Sequence, residues 1–169
     1  MTEFEGSLAP PAGRFAVVAS RFNQSVVERL VEGAKEGFKS HQIAEDSIDL
    51  VWVPGSFEIP LVAKRLAASG KYAAVVCLGA VIRGDTDHYE YVASQAARGV
   101  AEASLTTGVP VLFGILTCAT EEQALDRAGG KEGNKGYDGV LAAIEMVNLL
   151  QQLPKKQLSD EGKVMSQKS

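Results

Sequence analysis

Four short apolar runs, rich in valine and alanine, alternate with stretches of helical periodicity, and this constrains the fold more than any other feature of the chain. The runs are Arg14 to Ser20 (RFAVVAS), Ile48 to Val53 (IDLVWV), Ala73 to Ala80 (AAVVCLGA) and Val109 to Leu116 (VPVLFGIL). They are nearly continuous hydrophobic segments bounded by Pro, Gly or charged residues, the pattern of strands buried on both faces. After the first run, Val27, Leu30, Val31, Ala34 and Phe38 recur at helical spacing. Pro60 suits the first turn of a second helix, which runs through Leu61, Ala63, Lys64 and Leu66 to Gly70. A long helix is expected from His88 to about Thr107, a short one from Glu121 to Ala128 and an amphipathic one from Tyr137 to Leu153.

Strands that alternate with helices give right-handed crossovers and a parallel sheet covered on both faces. The expectation is therefore a three-layer α/β/α sandwich, flavodoxin-like, with a four-stranded parallel sheet. Residues 1–13 read as an N-terminal arm and 14–153 as a single domain. The polar, lysine-rich stretch 154–169 reads as a mobile tail.

Composition removes several function classes. The net charge is −4, with no long basic run to offset it, so neither nucleic acid nor a membrane surface is an expected partner. Cys77 and Cys118 lie far apart and match no disulfide framework or metal motif. His41 and His88 are the only histidines, too few for a zinc site, so no metal is expected. The start, Met1-Thr2-Glu3-Phe4, shows no basic region followed by an apolar core, and no apolar run approaches the roughly 20 residues that span a bilayer. A reducing, cytoplasmic setting fits these features.

In an open parallel sheet, ligands bind outside the carboxyl ends of the strands. Arg21-Phe22-Asn23 follows the first strand. Phe22 is either core or a ring that stacks on a flat heterocycle. Pro54-Gly55-Ser56-Phe57-Glu58-Ile59-Pro60 follows the second. It reads as a turn into a helix with Glu58 favoured at the positive end of the dipole, or as a cluster able to hydrogen-bond a polyol. Gly79-Ala80-Val81-Ile82-Arg83-Gly84-Asp85-Thr86-Asp87-His88 joins the third strand to the long helix, so backbone N–H groups point into the loop. Its glycine spacing approaches a P-loop, but Asp85 stands where lysine is needed, which argues against a nucleoside triphosphatase. A single phosphate fits, with Thr86 donating, an arginine supplying charge and backbone donors offsetting Asp85 and Asp87. His88 is an exposed bystander or, beside a phosphate, a proton shuttle, since imidazole exchanges protons near neutrality. The run Gly129 to Gly136 follows a helix rather than a strand and reads as a flexible helix-to-helix connection. Arg127 before it is, alone, an ordinary solvated residue.

These blocks, together with Tyr89-Glu90-Tyr91-Val92 and Phe113-Gly114-Ile115-Leu116-Thr117, resemble the lumazine synthases in order and spacing, from about Phe15 to Leu150. The resemblance implies a transferase of riboflavin biosynthesis. It would condense 5-amino-6-(D-ribitylamino)uracil with 3,4-dihydroxy-2-butanone 4-phosphate to 6,7-dimethyl-8-ribityllumazine, releasing phosphate and water without a cofactor. It implies that Phe22 stacks on the pyrimidine and that Ser56, Phe57 and Glu58 hold the ribityl chain and ring. Ala80, Val81 and Ile82 would read the uracil through their backbone. Asp85, Thr86 and Arg127 would bind the phosphorylated substrate, and His88 would transfer protons. Phe113 would enter the site from a neighbouring subunit. The family also implies a homo-oligomer, a pentamer that stacks into an icosahedral capsid, with riboflavin synthase as a partner.

Other readings fit less well. A response-regulator receiver needs an acidic cluster where Ser20-Arg21-Phe22 stands. A non-catalytic flavin- or lumazine-binding module would not need both His88 and Arg127. Riboflavin synthase is the nearest enzymatic alternative, and the five blocks match it less closely. A purely structural shell protein would not need polar residues at the strand ends.

Overall fold

The computed structural model describes residues 1–155. In chain order its elements are β1 (Arg14–Ser20), α1 (Gln24–Ser40), β2 (Ile48–Val53), α2 (Ile59–Ala68), β3 (Tyr72–Ile82), α3 (His88–Thr107) and β4 (Val111–Cys118). There follow α4 (Glu121–Arg127), β5 (Ala128–Gly130), β6 (Gly133–Asn134) and α5 (Lys135–Gln152). β1 to β4 form a four-stranded sheet in the order β2-β1-β3-β4, parallel throughout, as expected. The chain steps from β1 outward to β2, then crosses back to β3 and on to β4. The direction of winding therefore reverses between β1 and β3, where a crevice opens at the carboxyl ends.

Alternation along β1 shows how the sheet serves two cores. Phe15, Val17 and Ala19 join Leu30, Phe38, Val140 and Ile144 beneath α1 and α5. Ala16 and Val18 face the other way, toward Ile59, Ala63, Val75 and Val100 beneath α2 and α3. Successive strand residues point to opposite faces, so a strand covered on both sides must be apolar at every position. Burying each such side chain contributes about 1.5–3 kcal/mol. β2 is less covered than the sequence suggested. It is an edge strand with Leu50 38% exposed, and much of it is only half-buried.

Several element boundaries, and the glycine-rich run, differ from expectation. β3 runs on to Ile82, because Val81 and Ile82 pair with Thr117 and Cys118 of β4. β4 begins at Val111 rather than Val109. The Ser104 hydroxyl donates to the Val109 carbonyl and accepts from the Val111 N–H, while Pro110 has no N–H to give a ladder. The glycine-rich run is no flexible connection. β5 and β6 pair as an antiparallel hairpin, with Gly129 and Gly133 at positive φ, 103° and 78°. Asn134 then secures the entry to α5. Its Oδ1 accepts from the N–H of Gly136 and Tyr137, and its Nδ2 donates to the Arg29 carbonyl of α1 at 3.0 Å. The amide fills the space beside Gly33, where any side chain would collide with it.

At the amino ends of the strands, Asp49 gathers three neighbours. The Tyr72 hydroxyl donates to it at 2.6 Å, with Lys71 at 3.2 Å and Arg14 at 2.9 Å. The Tyr72 bond, then Lys71, hold its carboxyl down at about 2. This knot ties β1, β2 and β3 together at the end opposite the crevice. The arm preceding β1 has no regular structure and lies along α5. Asn148 Nδ2 donates to the carbonyls of Ser7 and Ala9, each at 2.8 Å, and Gln152 Nε2 donates to that of Glu5 at 2.8 Å. Most of the stretch read as a tail, from residue 156 onward, lies outside the described residues. Among the described residues no helix is long and apolar enough to cross a membrane.

Candidate active site

The crevice between β1 and β3 holds a cavity of about 690 Å³. Three chain segments build it, each leaving the carboxyl end of a strand. From β1 come Phe22 and Asn23. The N–H groups of Arg21 and Phe22 donate to the carbonyls of Val53 and Pro54, so the exits of β1 and β2 stay paired. Asn23 sits in the left-handed region (φ 58°), which turns the chain into α1. Its Nδ2 donates to the Ala80 carbonyl at 2.9 Å and bridges the crevice floor. Phe22 is left 71% exposed, an aromatic surface over an apolar cavity.

From β2 comes the 54–58 turn, in which a short 3-10 helix (Ser56–Glu58) presents Phe57 and Glu58 outward. Ser56 is buried and its hydroxyl has no access to solvent, so it does not offer that oxygen to the cavity as a polyol contact would require. From β3 come Ala80, Val81 and Ile82, followed by the loop to α3. His88 is the first residue of α3, exposed, and lines the same cavity as Phe22 and Phe57. Its N–H donates to Thr86 Oγ1 at 3.4 Å. Asp87, at the N-cap, makes no side-chain cap, and the Glu90 N–H donates to its carbonyl at 3.0 Å. The Arg83 guanidinium is turned aside: it lies 4.8 Å over the Tyr89 ring and 3.7 Å from Glu90.

Phe113 and Arg127 are not in this cavity. They line a second, smaller concavity of about 290 Å³ with Thr117, Cys118, Lys135 and Asp138. Phe113 points outward from β4, 45% exposed. Arg127 ends α4, its Nη1 donating to the Gln123 carbonyl at 3.1 Å, and among the described residues no carboxylate pairs with it. Burial raises the Cys118 thiol while the Arg127 charge acts against that rise. Burial holds the Cys77 thiol at about 12, a protonated and inert core group.

The fold thus gathers nine of the expected residues around one cavity: Phe22, Ser56, Phe57, Glu58, Ala80, Val81, Ile82, Thr86 and His88. Asp85 is exposed on the loop beside them. Phe113 and Arg127 it leaves apart. Asn23, Tyr89, Tyr91 and Val92, which belong to the matched blocks but were given no role, also line the cavity. The signal for Tyr91 and Val92 was present, since residues three and four beyond His88 share its helix face. Among the described residues no cluster of three or more His, Cys, Asp or Glu could hold a metal.

The sequence model of the 6,7-dimethyl-8-ribityllumazine synthase family matches residues 12–151, which include every element of the sheet and both concavities. The chain belongs to this family. Two relatives from strains of Clostridium kluyveri, both named 6,7-dimethyl-8-ribityllumazine synthase, are 52% identical over 153 residues, covering 90% of this chain and 99% of each relative. The lumazine synthase fold expected from the resemblance is the one observed, with its candidate site at the reversal of strand order.

Proposed function

We propose that the chain catalyses the condensation of 5-amino-6-(D-ribitylamino)uracil with 3,4-dihydroxy-2-butanone 4-phosphate, yielding 6,7-dimethyl-8-ribityllumazine, phosphate and water. The observation that carries this reading is the family membership over nearly the whole chain, joined to an aromatic cavity with one histidine at its rim. Riboflavin synthase activity and passive flavin binding are not favoured by the family match. The uracil amine attacks the butanone carbonyl to give an imine with loss of one water, phosphate leaves, and ring closure with loss of a second water gives the lumazine. Each step moves protons and none needs an external electron carrier, so no cofactor is expected. Holding the two reactants in register can contribute about 7–11 kcal/mol.

In this proposal Phe22 stacks on the pyrimidine, and the backbone of Ala80, Val81 and Ile82 reads its edge. Phe57, Glu58 and the backbone at Ser56 hold the ribityl chain. His88 carries protons, and Thr86 with the loop N–H groups at Asp85 receives phosphate. Electrostatics then favour a contribution from a second chain. The loop carries Asp85 and Asp87, and Arg83 is engaged with Tyr89 and Glu90, so among the described residues the cavity lining offers no free cation for a phosphate. The exposed concavity with Phe113, Arg127 and Lys135 supplies cation and aromatic together. One copy docking that surface over the cavity of the next completes the site.

Mixing both substrates with the purified protein should produce lumazine absorbance and free phosphate without added metal. Product that vanishes in chelator and returns only with a metal would refute the cofactor-free scheme. Mixed oligomers of Phe22→Ala and Phe113→Ala chains should regain partial activity, because some sites then contain neither change. No recovery in verified mixed oligomers would count against a shared site.

The proposal extends to assembly. The chain works as one catalytic unit of residues 14–153 in a cytoplasmic pentamer, with riboflavin synthase as a possible guest of a larger shell. The link between α4 and α5 is short and closed by the β5–β6 hairpin, which supports pentamers packing into an icosahedral capsid. Sedimentation velocity at neutral pH should show a megadalton particle, whereas a lone pentamer across a wide concentration range would exclude the shell.

A further inference from the structure

Two hydroxyls lie fully enclosed beneath the floor of the larger cavity. Ser20 is 0% exposed and Ser56 5%, and neither Oγ has a hydrogen-bond partner among the described residues. A buried hydroxyl left unsatisfied costs about 1–3 kcal/mol, so two adjacent ones call for an explanation. They converge on one point. A side chain added at Gly79 would place its Cβ 2.6 Å from the Ser56 Oγ and 2.9 Å from the Ser20 Oγ, with Ile59 Cδ1 at 3.2 Å. Only a glycine leaves room for both hydroxyls here, and they share the polar notch beside its Cα.

The position of this notch gives it meaning. Ser20 is the last residue of β1 and precedes Arg21-Phe22. Ser56 opens the turn that carries Phe57 and Glu58, and Gly79 precedes Ala80 in β3. Each of the three is one or two residues from a group assigned above to the aminouracil. The three segments that shape the cavity meet here.

We propose that Ser20 and Ser56 bind one enclosed water across the Gly79 notch, and that Ser20 is thereby a positioning residue for the aminouracil pocket. A buried water with two or more polar partners is a normal structural element, and hydroxyls can donate or accept as it requires. The water locks the exit of β1 to the 54–58 turn, which fixes the spacing between the Phe22 ring and the ribityl-binding segment. Ser20 touches no substrate. It acts through Ser56 and through the backbone leading to Phe22.

This inference rests on the proposed aminouracil site, and its test separates the two. Binding of 6,7-dimethyl-8-ribityllumazine to the assembled wild type, followed by fluorescence, tests the site itself; no binding would remove both. Given wild-type binding, Ser20→Ala should raise the dissociation constant roughly five- to thirtyfold, the loss of one to two hydrogen bonds' worth of ordering. The KM for the aminouracil should rise with it, while the KM for the phosphorylated substrate stays unchanged. Ser56→Ala should behave alike, and the double variant should lose little more than either single one, because both changes break the same bridge. Affinity retained in Ser20→Ala overturns the proposal. So do losses that add in the double variant, or a fall in thermal midpoint with both KM values intact. A crystal structure of the wild type should show one water within hydrogen-bond reach of both Oγ atoms, and a direct side-chain partner for either would also overturn it.

Discussion

Replacing His88 by alanine should lower turnover by roughly 10–10⁴-fold, the span of general acid–base contributions from weak to full. The imidazole leads α3 and opens onto the cavity that contains Phe22 and Phe57, so its removal takes away the proposed proton carrier. The stacking ring and the backbone edge of β3 remain. Binding of the lumazine product should accordingly change little, and the loss should appear in kcat rather than in the KM for the aminouracil. Steady-state kinetics with each substrate varied in turn make the distinction. A His88→Ala enzyme that turns over like the wild type would make the residue an exposed bystander.

Arg127→Ala should give the second large effect, and it should fall on the other substrate. The guanidinium ends α4 and, among the described residues, bonds only to the Gln123 carbonyl of its own helix, which leaves most of its donors for a ligand. Removing a charge-assisted contact to phosphate costs about 1.5–3 kcal/mol, so the KM for the butanone phosphate should rise roughly ten- to 150-fold. Arg127→Lys should recover part of this, since it keeps the charge and loses the planar fork. The aminouracil KM should move much less. Equal losses for both substrates would mean that the α4–β5 corner, not the phosphate contact, had been damaged.

The layer architecture was legible because two-sided burial leaves a sequence signature. Val17 and Val18 face different cores and both must be apolar. The site segments after β1, β2 and β3 were legible for a related reason: the topology rule names the strand ends, and those ends carry residues a plain turn does not need. What escaped the sequence depended on the partner each group finds in space. Ser104 is on α3, yet its hydroxyl sets where β4 begins. Asn134 looks like one more polar residue in a glycine-rich loop until its amide is seen wedged between α1 and α5. Ser56 had the right chemistry for a polyol and the wrong direction for it. The resemblance set Phe113 apart from its own chain's site but grouped Arg127 with Thr86; that Arg127 stands beside Phe113, away from His88, follows from how β4 and α4 turn.

The arm that lies along α5 also carries a consequence for the order in which this chain can be written. Gln152 holds the Glu5 carbonyl by a 2.8 Å bond, so the start and the finish of the folded body are neighbours. A few flexible residues could join them, and new ends could be cut at the exposed bend around Gly70, where β3 begins and φ is 75°. The rearranged chain would start with β3 and end with α2, while the sheet, the crevice and both concavities stayed as they are. Circular permutation would then move the polar stretch beyond Leu153 from the end of the chain to its middle, or allow it to be dropped.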